Sequence, residues 1–94
     1  MNAYPKIRAV TPLSNYRLRV AFDNGVCKVY DCTPLLQKSV FASLANDWLF
    51  RTVQADPGGY GVSWNEDIDL AESELWEHGV MLEMTQSVVA PVQS

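Results

Sequence analysis

Residues 65–78 hold a run of carboxylates that ends in the only histidine of the chain. The candidate binding residues of this run are Asp67, Asp69, Glu74 and Glu77. Carboxylates at this density suit a basic protein partner or a metal ion. The spacing Asn65-x-Asp67-x-Asp69 matches the start of a calcium-binding loop, but Leu70 and Trp76 stand where that motif needs a glycine and a bidentate glutamate. We therefore predict no metal site and interpret the run as a surface for a basic partner.

Two aromatic residues just before the acidic run suggest a different chemistry. Tyr60 and Trp64 lie on an alternating segment that follows the turn signal Asp56-Pro-Gly-Gly59. Together with Asp69 they could form the site of a small-ligand or metal sensor. We keep this as a second alternative function.

Side chains suited to catalysis are scarce. Glu74 and His78 have the spacing of an exposed helix pair, and no second histidine or Cys-x-x-Cys motif supports a zinc site. Cys27 and Cys32 are five residues apart, so a continuous strand would point them to opposite faces. We expect two free thiols, Cys27 in the core and Cys32 in a loop. The sequence predicts no catalytic residue, no cofactor and no enzyme activity.

A β-hairpin over residues 16–30 is the best-defined local element. Asn24-Gly25 favours a two-residue type I′ turn, which would pair Val20 with Val29. This register places five apolar residues on one buried face, namely Leu18, Val20, Phe22, Cys27 and Val29. The opposite face would then carry Arg17, Arg19, Lys28 and Tyr30.

The polar face of this hairpin provides an alternative function. Three cations and an aromatic ring on one sheet surface are typical of proteins that hold phosphates and stack a base. A pI near 4.7 means that the overall field of the chain opposes nucleic acid. A nucleic-acid-binding accessory domain is therefore the first alternative, and a solvated face is the competing interpretation.

The elements that position these groups follow from turn signals and periodicity. Residues 7–10 form a short strand before Pro12, which predicts a three-stranded meander with the hairpin. Residues 35–51 have helical spacing in one or two pieces, with Asp47 as a cap of the second piece. Residues 52–64 form a second short hairpin that could extend the sheet, and Asp69 begins a helix that ends at Gly79.

The fold class is therefore α+β, an antiparallel β-meander of three strands plus a second short hairpin, with two short helices packed on it. Phe41, Trp48 and Phe50 are expected in the core because of their large apolar area. A chain of 94 residues suits one domain over residues 1–79, followed by a tail over residues 80–94 that is partly ordered or docks on a neighbour.

Charge is distributed unevenly along the chain. All seven Lys and Arg lie in residues 1–51 with three acids, and the other eight acids follow with no Lys or Arg among them. The asymmetry indicates either an acidic surface for a partner or two halves that neutralise each other in one fold. No apolar run approaches the roughly 20 residues of a membrane span, and residues 1–6 lead into no apolar signal region. We expect a cytoplasmic protein.

The order of several blocks resembles a known family. They are Phe22-Asp-Asn-Gly25, Val29-Tyr-Asp31, Gly59-Tyr60 and Val62-Ser-Trp64-Asn-x-Asp-x-Asp69-Leu70. The resemblance covers roughly residues 4–79 and is to the bacterial family catalogued as domain of unknown function 2442. It implies a small α+β fold. Some similar members carry a fused helix-turn-helix, for which the residues after 79 are too few, and others lie beside genes for predicted toxins.

The sequence thus favours a non-enzymatic interaction or regulatory module, with an antitoxin-like role implied by the resemblance. The expected partner is a basic, toxin-like protein, and a homodimer is a further option. The predicted surface runs from Asp67 to Glu77.

Overall fold

In a computed structural model, which describes residues 4–82, the chain forms two antiparallel β-sheets. The first sheet has the order β1-β2-β3-β7 and consists of β1 (Ile7–Leu13), β2 (Arg17–Phe22), β3 (Cys27–Asp31) and β7 (Val80–Met81). The second has the order β4-β5-β6 and consists of β4 (Gln54–Ala55), β5 (Gly61–Asn65) and β6 (Ile68–Ala71).

Short helices connect the strands. The α-helices are α1 (Asp47–Phe50) and α2 (Glu72–His78), and the 3₁₀ segments are Ser14–Tyr16, Thr33–Gln37, Ser39–Ala45 and Pro57–Gly59. The predicted α+β class is confirmed. The second hairpin does not extend the first sheet, because it joins β6 in a sheet of its own.

One hydrophobic core joins the two sheets to the helices. The first sheet contributes Leu18, Val20, Phe22 and Tyr30, and the second contributes Val62, Trp64, Ile68 and Leu70. Leu75 of α2 and Phe50 of α1 are also fully buried in this core. Burial of each such side chain stabilises the fold by about 1.5–3 kcal/mol, so α2 is held by the same core as both sheets.

The register of the β2–β3 hairpin differs by one residue from the predicted register. The loop has three residues, 23–25, because Phe22 N–H donates to the Val26 carbonyl at 2.8 Å and Gly25 N–H to the Phe22 carbonyl at 3.1 Å. Gly25 has φ 91°, whereas Asn24 does not have a positive φ. The Asn24 side chain instead accepts from Val26 N–H at 3.0 Å. A type I′ turn needs positive φ at both central residues, so a three-residue loop forms.

This shift exchanges the two faces of β3. Leu18 now pairs with Tyr30 and Val20 with Lys28, so Lys28 and Tyr30 lie on the core side. Cys27 and Val29 lie on the outer face beside Ala21 and Arg19. The predicted core positions of Cys27 and Val29, and the predicted exposure of Lys28 and Tyr30, are therefore wrong.

The segment predicted as helical over residues 35–51 is mostly 3₁₀ helix. Only Asp47–Phe50 is α-helical. The N-cap of this helix is Asn46 and not Asp47, because the Asn46 side chain accepts from Trp48 N–H at 3.0 Å. Phe50 is buried as expected, and Phe41 packs partly against the core. Trp48 was expected in the core but is 80% exposed. A turn that buries Phe50 places the side chain two residues earlier on the opposite, solvent side of the helix.

Asp69 does not begin a helix. It lies in β6, where Ile68 and Leu70 are buried and Asp69 between them is exposed. The alternation is that of a strand, and α2 begins only at Glu72.

Pro12 and the chain after α2 mark the two edges of the first sheet. β1 is an edge strand that continues through Pro12 to Leu13, beyond the predicted strand over residues 7–10, because an edge position tolerates the missing N–H of proline. At the other edge β7 pairs with β3, Val80 opposite Val29.

The rest of the predicted tail, residues 83–94, lies outside the described residues. No helix within residues 4–82 has the length and hydropathy needed to cross a membrane.

Thiol labelling provides a direct test of the register. Cys27 is half-buried on the outer face, whereas Cys32 is fully buried and both are free thiols. We expect one thiol to react with a chromogenic disulfide reagent in the native protein and the second only after denaturation. The Cys27→Ser variant should lose the native reaction and Cys32→Ser should keep it. Native labelling of Cys32 in preference to Cys27 would contradict the register.

Candidate functional site

The predicted nucleic-acid face is divided between the two sides of the sheet. Arg17 and Arg19 are on the outer face, opposite Asp31 and Val29. Lys28 lies under α2, where its ammonium donates to the Trp76 carbonyl and sits 3.9 Å from the centroid of the Trp76 ring. The outer face therefore lacks both the third cation and the aromatic ring that the prediction needed.

The residues of the predicted sensor site are not brought together. Trp64 is a core residue, and its indole N–H donates to the Phe50 carbonyl at 2.9 Å. Asp69 is on the opposite face of the second sheet, paired with Ser63. Tyr60 is exposed, with the Lys6 ammonium 4.6 Å from its ring centroid. Trp64 is therefore enclosed in the core, whereas Tyr60 and Asp69 are exposed, and the predicted site does not form.

The predicted acidic surface is divided in a different way. Asp67 and Asp69 are exposed on the β5–β6 hairpin and form no ion pair with the other described residues. Asn65 shapes the turn between these strands, since its side-chain oxygen accepts from the N–H groups of Asp67 and Ile68 at 2.9 Å and 3.0 Å. Because the Asn65 side-chain oxygen accepts these bonds within the turn, the calcium-like spacing Asn65-x-Asp67-x-Asp69 is explained as a turn motif.

The carboxylates of α2 contact the first half of the chain. Glu77 accepts from the Tyr4 hydroxyl, and Glu72 lies 4.0 Å from the Lys6 ammonium. Glu74 accepts from the Tyr30 hydroxyl at 2.7 Å. The charge asymmetry of the sequence is therefore used in part within the fold.

A groove of about 720 Å³ lies beside the end of β3. This volume falls in the range of about 300–1,000 Å³ that is usual for ligand sites. We call it the β3 groove. Its apolar residues are Val29, Pro34, Leu35, Val80 and Leu82, and its polar residues are Arg17, Tyr30, Asp31, Lys38, Glu74 and His78. It is open to water, and Val80 is 71% exposed within it.

A hydrogen-bonded cluster forms the wall of the β3 groove on the α2 side. Tyr30 is only 5% exposed and fixes one oxygen of Glu74 through its hydroxyl. The other oxygen of Glu74 lies 3.9 Å from His78 Nε2, and the Glu74 side chain is 41% exposed. Burial, followed by the hydrogen bond and negative charge of Glu74, raises the pKa of Tyr30 well above its ordinary value. Tyr30 is thus a neutral donor that orients a carboxylate at neutral pH.

The opposite wall combines both signs of charge. Asp31 accepts from Thr33 N–H at 2.9 Å, and this bond, with a smaller contribution from nearby Arg17, lowers the pKa of Asp31. Arg17 donates in turn to the Ser14 carbonyl at 3.2 Å. Lys38 on the rim is exposed and has no ion-pair partner among residues 4–82. The groove therefore combines apolar surface with charges of both signs.

Of the two free thiols, Cys32 is the one enclosed in the core. Burial, and then the charge of Asp31, raises the pKa of the Cys32 thiol to about 12, so Cys32 is a protonated core residue at neutral pH. No group of three or more His, Cys, Asp or Glu side chains in residues 4–82 is arranged to hold a metal ion.

The sequence interpretation identified some of these groove residues but not the groove. Glu74 and His78 were recognised as a pair, and Arg17 and Tyr30 as surface residues. Their meeting depends on the register of β3, for which the Asn-Gly signal offered two solutions. The pairing of Val80 with β3 left no signal in the sequence, because a two-residue strand is shorter than any periodic pattern.

Comparison with known families gives one match. A model of the family described as "Protein of unknown function (DUF2442)" matches residues 7–80. No curated protein and no solved structure matches the chain significantly.

The Tyr30–Glu74 bond should produce a characteristic alkaline pH dependence. The folded state holds the Tyr30 proton more tightly than the unfolded state, so this contribution to stability is complete below pH 10 and falls as the pH rises toward the folded pKa. We expect Tyr30→Phe to lower the free energy of unfolding at pH 7 by about 1–2 kcal/mol. Above pH 10 the free energies of unfolding of wild type and Tyr30→Phe should approach each other by at most about 1.4 kcal/mol per pH unit.

Urea titrations from pH 7 to 11 measure this difference. Tyr60→Phe is the matched control, because it removes a hydroxyl from a ring that is 61% exposed. If Tyr30→Phe lowers the free energy of unfolding by the same amount at every pH, the Tyr30–Glu74 hydrogen bond is contradicted.

Proposed function

The chain belongs to the family described as protein of unknown function DUF2442, and on that premise we propose that it is a non-enzymatic protein-interaction module of a bacterial regulatory system. The observation that carries this proposal is the β3 groove, in which apolar side chains lie next to an oriented carboxylate, Glu74. Apolar surface with a few fixed polar groups is the usual composition of a recognition site.

The exposed apolar side chains support the groove as the contact surface. Val80, Met81 and Leu82 are exposed by 71%, 53% and 41%. They follow each other at the edge of the first sheet, and two of them line the groove. Consecutive exposed apolar residues cost solubility unless a partner covers them. We expect a segment of the partner protein to cover them.

The charges of the chain favour a basic partner. The net charge is −4, and Asp67 and Asp69 add an unpaired acidic hairpin to the carboxylate of Glu74. A field of this sign attracts a basic protein and speeds its association, while the groove supplies the short-range contacts. A basic, toxin-like partner encoded beside this chain fits these features, which gives the antitoxin-like role as the biological setting.

The test is co-expression of the full chain with the product of the adjacent gene, together with selection of binders from a phage-displayed random peptide library. Val80→Lys places a charge in the groove at an exposed edge position, where lysine is tolerated. We expect Val80→Lys to abolish capture of the partner and of the selected peptides. Trp48→Lys is the matched control, because it makes the same replacement at an exposed residue outside the groove lining.

Two outcomes would contradict the proposal. Loss of binding with Trp48→Lys and retention with Val80→Lys would move the contact away from the groove. If Val80→Lys keeps binding and Asp67→Lys and Asp69→Lys lose it, the acidic hairpin is the binding surface instead.

A further inference from the structure

The β3 groove occupies a position that a β-strand could fill. β7 pairs with β3 only opposite Lys28 and Val29, because the chain leaves the sheet at Gly79 to join α2. Asp31 therefore has no pairing partner in β7, which leaves a gap in the ladder. The residues around this gap belong to the groove, with Val80 at one end and Pro34 and Leu35 beside it.

The hydrogen-bond pattern shows that the backbone of Asp31 faces this gap. Cys32 N–H donates to the Tyr16 carbonyl at 2.9 Å on the β2 side, and Leu82 N–H donates to the Cys27 carbonyl at 3.0 Å on the β7 side. Residues of an antiparallel strand alternate between their two neighbours, so Asp31 must point its N–H and C=O to the same side as Cys27. Among residues 4–82 these two groups have no backbone partner.

A strand added here would place alternate side chains on opposite faces. The residue paired with Asp31 would face outward, toward Arg17. Its neighbour along the added strand would face inward, toward Tyr30 and Glu74, which line the inner wall of the groove. Glu74 is partly exposed and offers that neighbour one oxygen, while its other oxygen is fixed by Tyr30.

The charges of the groove decide which inward side chain fits. Arg17 and Asp31 are cross-strand neighbours, and Arg17 contributes to the lowered pKa of Asp31, so these charges offset each other. Tyr30 is a neutral donor and adds no positive charge beside Glu74. His78, whose Nε2 lies 3.9 Å from the other oxygen of Glu74, offsets that charge only when its imidazole is protonated. A lysine or arginine at the inward position would form a charge-assisted hydrogen bond with Glu74.

We propose that the β3 groove binds an extended segment of a basic partner protein, which adds as a strand opposite Asp31 and places a lysine or arginine side chain on Glu74. This inference rests on the proposed interaction function and names its mode of recognition. Affinity comes from the backbone bonds and apolar contacts, and selectivity comes from the carboxylate.

The free edge of β1 is a poorer site for the same kind of pairing. The backbone groups of odd-numbered β2 residues bond toward β1, so Thr11, which pairs with Arg19, bonds toward β2. The backbone of the next residue, Pro12, therefore faces away from β2, toward the outer edge of the sheet. Proline has no N–H to offer an incoming strand, and a bulge between Ile7 and Ala9 interrupts the same edge. The asymmetry of the two edges favours the groove.

The experiment uses the full ¹⁵N-labelled chain and synthetic mixtures of acetylated, amidated octapeptides. Residue four of the octapeptides is fixed as lysine, arginine, norleucine or glutamate, and the other positions are randomised. Exchange of the Asp31 amide hydrogen and the shifts of the groove signals are followed by NMR. We expect the lysine and arginine mixtures to slow exchange of the Asp31 amide hydrogen at least tenfold. The norleucine mixture should need a concentration about tenfold higher for the same effect.

Two variants and one modified probe test the details. Glu74→Gln should remove the preference for lysine over norleucine, whereas Glu66→Gln, the same change on an exposed turn residue outside the groove lining, should keep it. N-methylation of residues three and five of the lysine mixture should abolish binding, because one of these residues would pair with Asp31.

The outcomes separate this inference from the function on which it rests. Library-selected peptides that are sensitive to Val80→Lys but leave Asp31 exchange unchanged would overturn strand addition alone. A lysine preference that survives Glu74→Gln would overturn the role of Glu74. If no peptide or partner protein binds and Val80→Lys converts a dimer into a monomer, the edge pairs with a second copy and both proposals fail.

Discussion

The three-residue loop at Asp23-Asn24-Gly25 is the constraint on which the rest of the structure depends. Its closure by the Phe22–Val26 bond determines which residues of β3 face the core. The opposite choice would bury Cys27 and Val29 and expose Lys28 and Tyr30. The loop is also held from outside, because Asp23 N–H donates to the Lys6 carbonyl at 2.8 Å. A contact with the preceding segment thus helps to select one of two local solutions.

The docking of α2 follows from that choice. With Lys28 and Tyr30 facing inward, β3 presents a cation to the ring and carbonyl of Trp76 and a hydroxyl to Glu74. Trp76 also packs edge-on against Phe22, with ring centroids 5.0 Å apart. These polar contacts surround the buried side chain of Leu75 and give α2 one orientation. The chain can then leave α2 at Gly79 and pair briefly with β3, which leaves the groove beside Asp31.

Much of the fold was readable from the sequence, and the errors have physical causes. Turn residues located both hairpins, and alternation located β5, because these signals are local. The register was wrong because Asn-Gly supports a two-residue or a three-residue loop, and the outcome depends on whether Asn24 adopts a positive φ. Asp69 was placed in a helix because acids before a helix resemble caps, although Ile68 and Leu70 carried a strand alternation. The exposure of Trp48 depends on the orientation of a single helical turn.

The candidate site was predictable only in part for the same reason. Glu74, Tyr30 and Arg17 were each recognised, but a surface is defined by which residues share a face, and one step of register changes that assignment. The charge asymmetry indicated either an acidic surface or two halves that neutralise each other, but the sequence alone does not show that Glu72 and Glu77 contact Lys6 and Tyr4.

The register of β2 and β3 turns Tyr30 and Lys28 inward and so builds the β3 groove. Nuclear Overhauser contacts between α-protons across β2 and β3 test it most directly, since these protons approach closely only in the narrow, non-hydrogen-bonded pairs of an antiparallel ladder. The structure predicts strong α-proton contacts between Arg19 and Val29 and between Ala21 and Cys27. A strong contact between the α-protons of Val20 and Val29 in their place would contradict the register and the groove that depends on it.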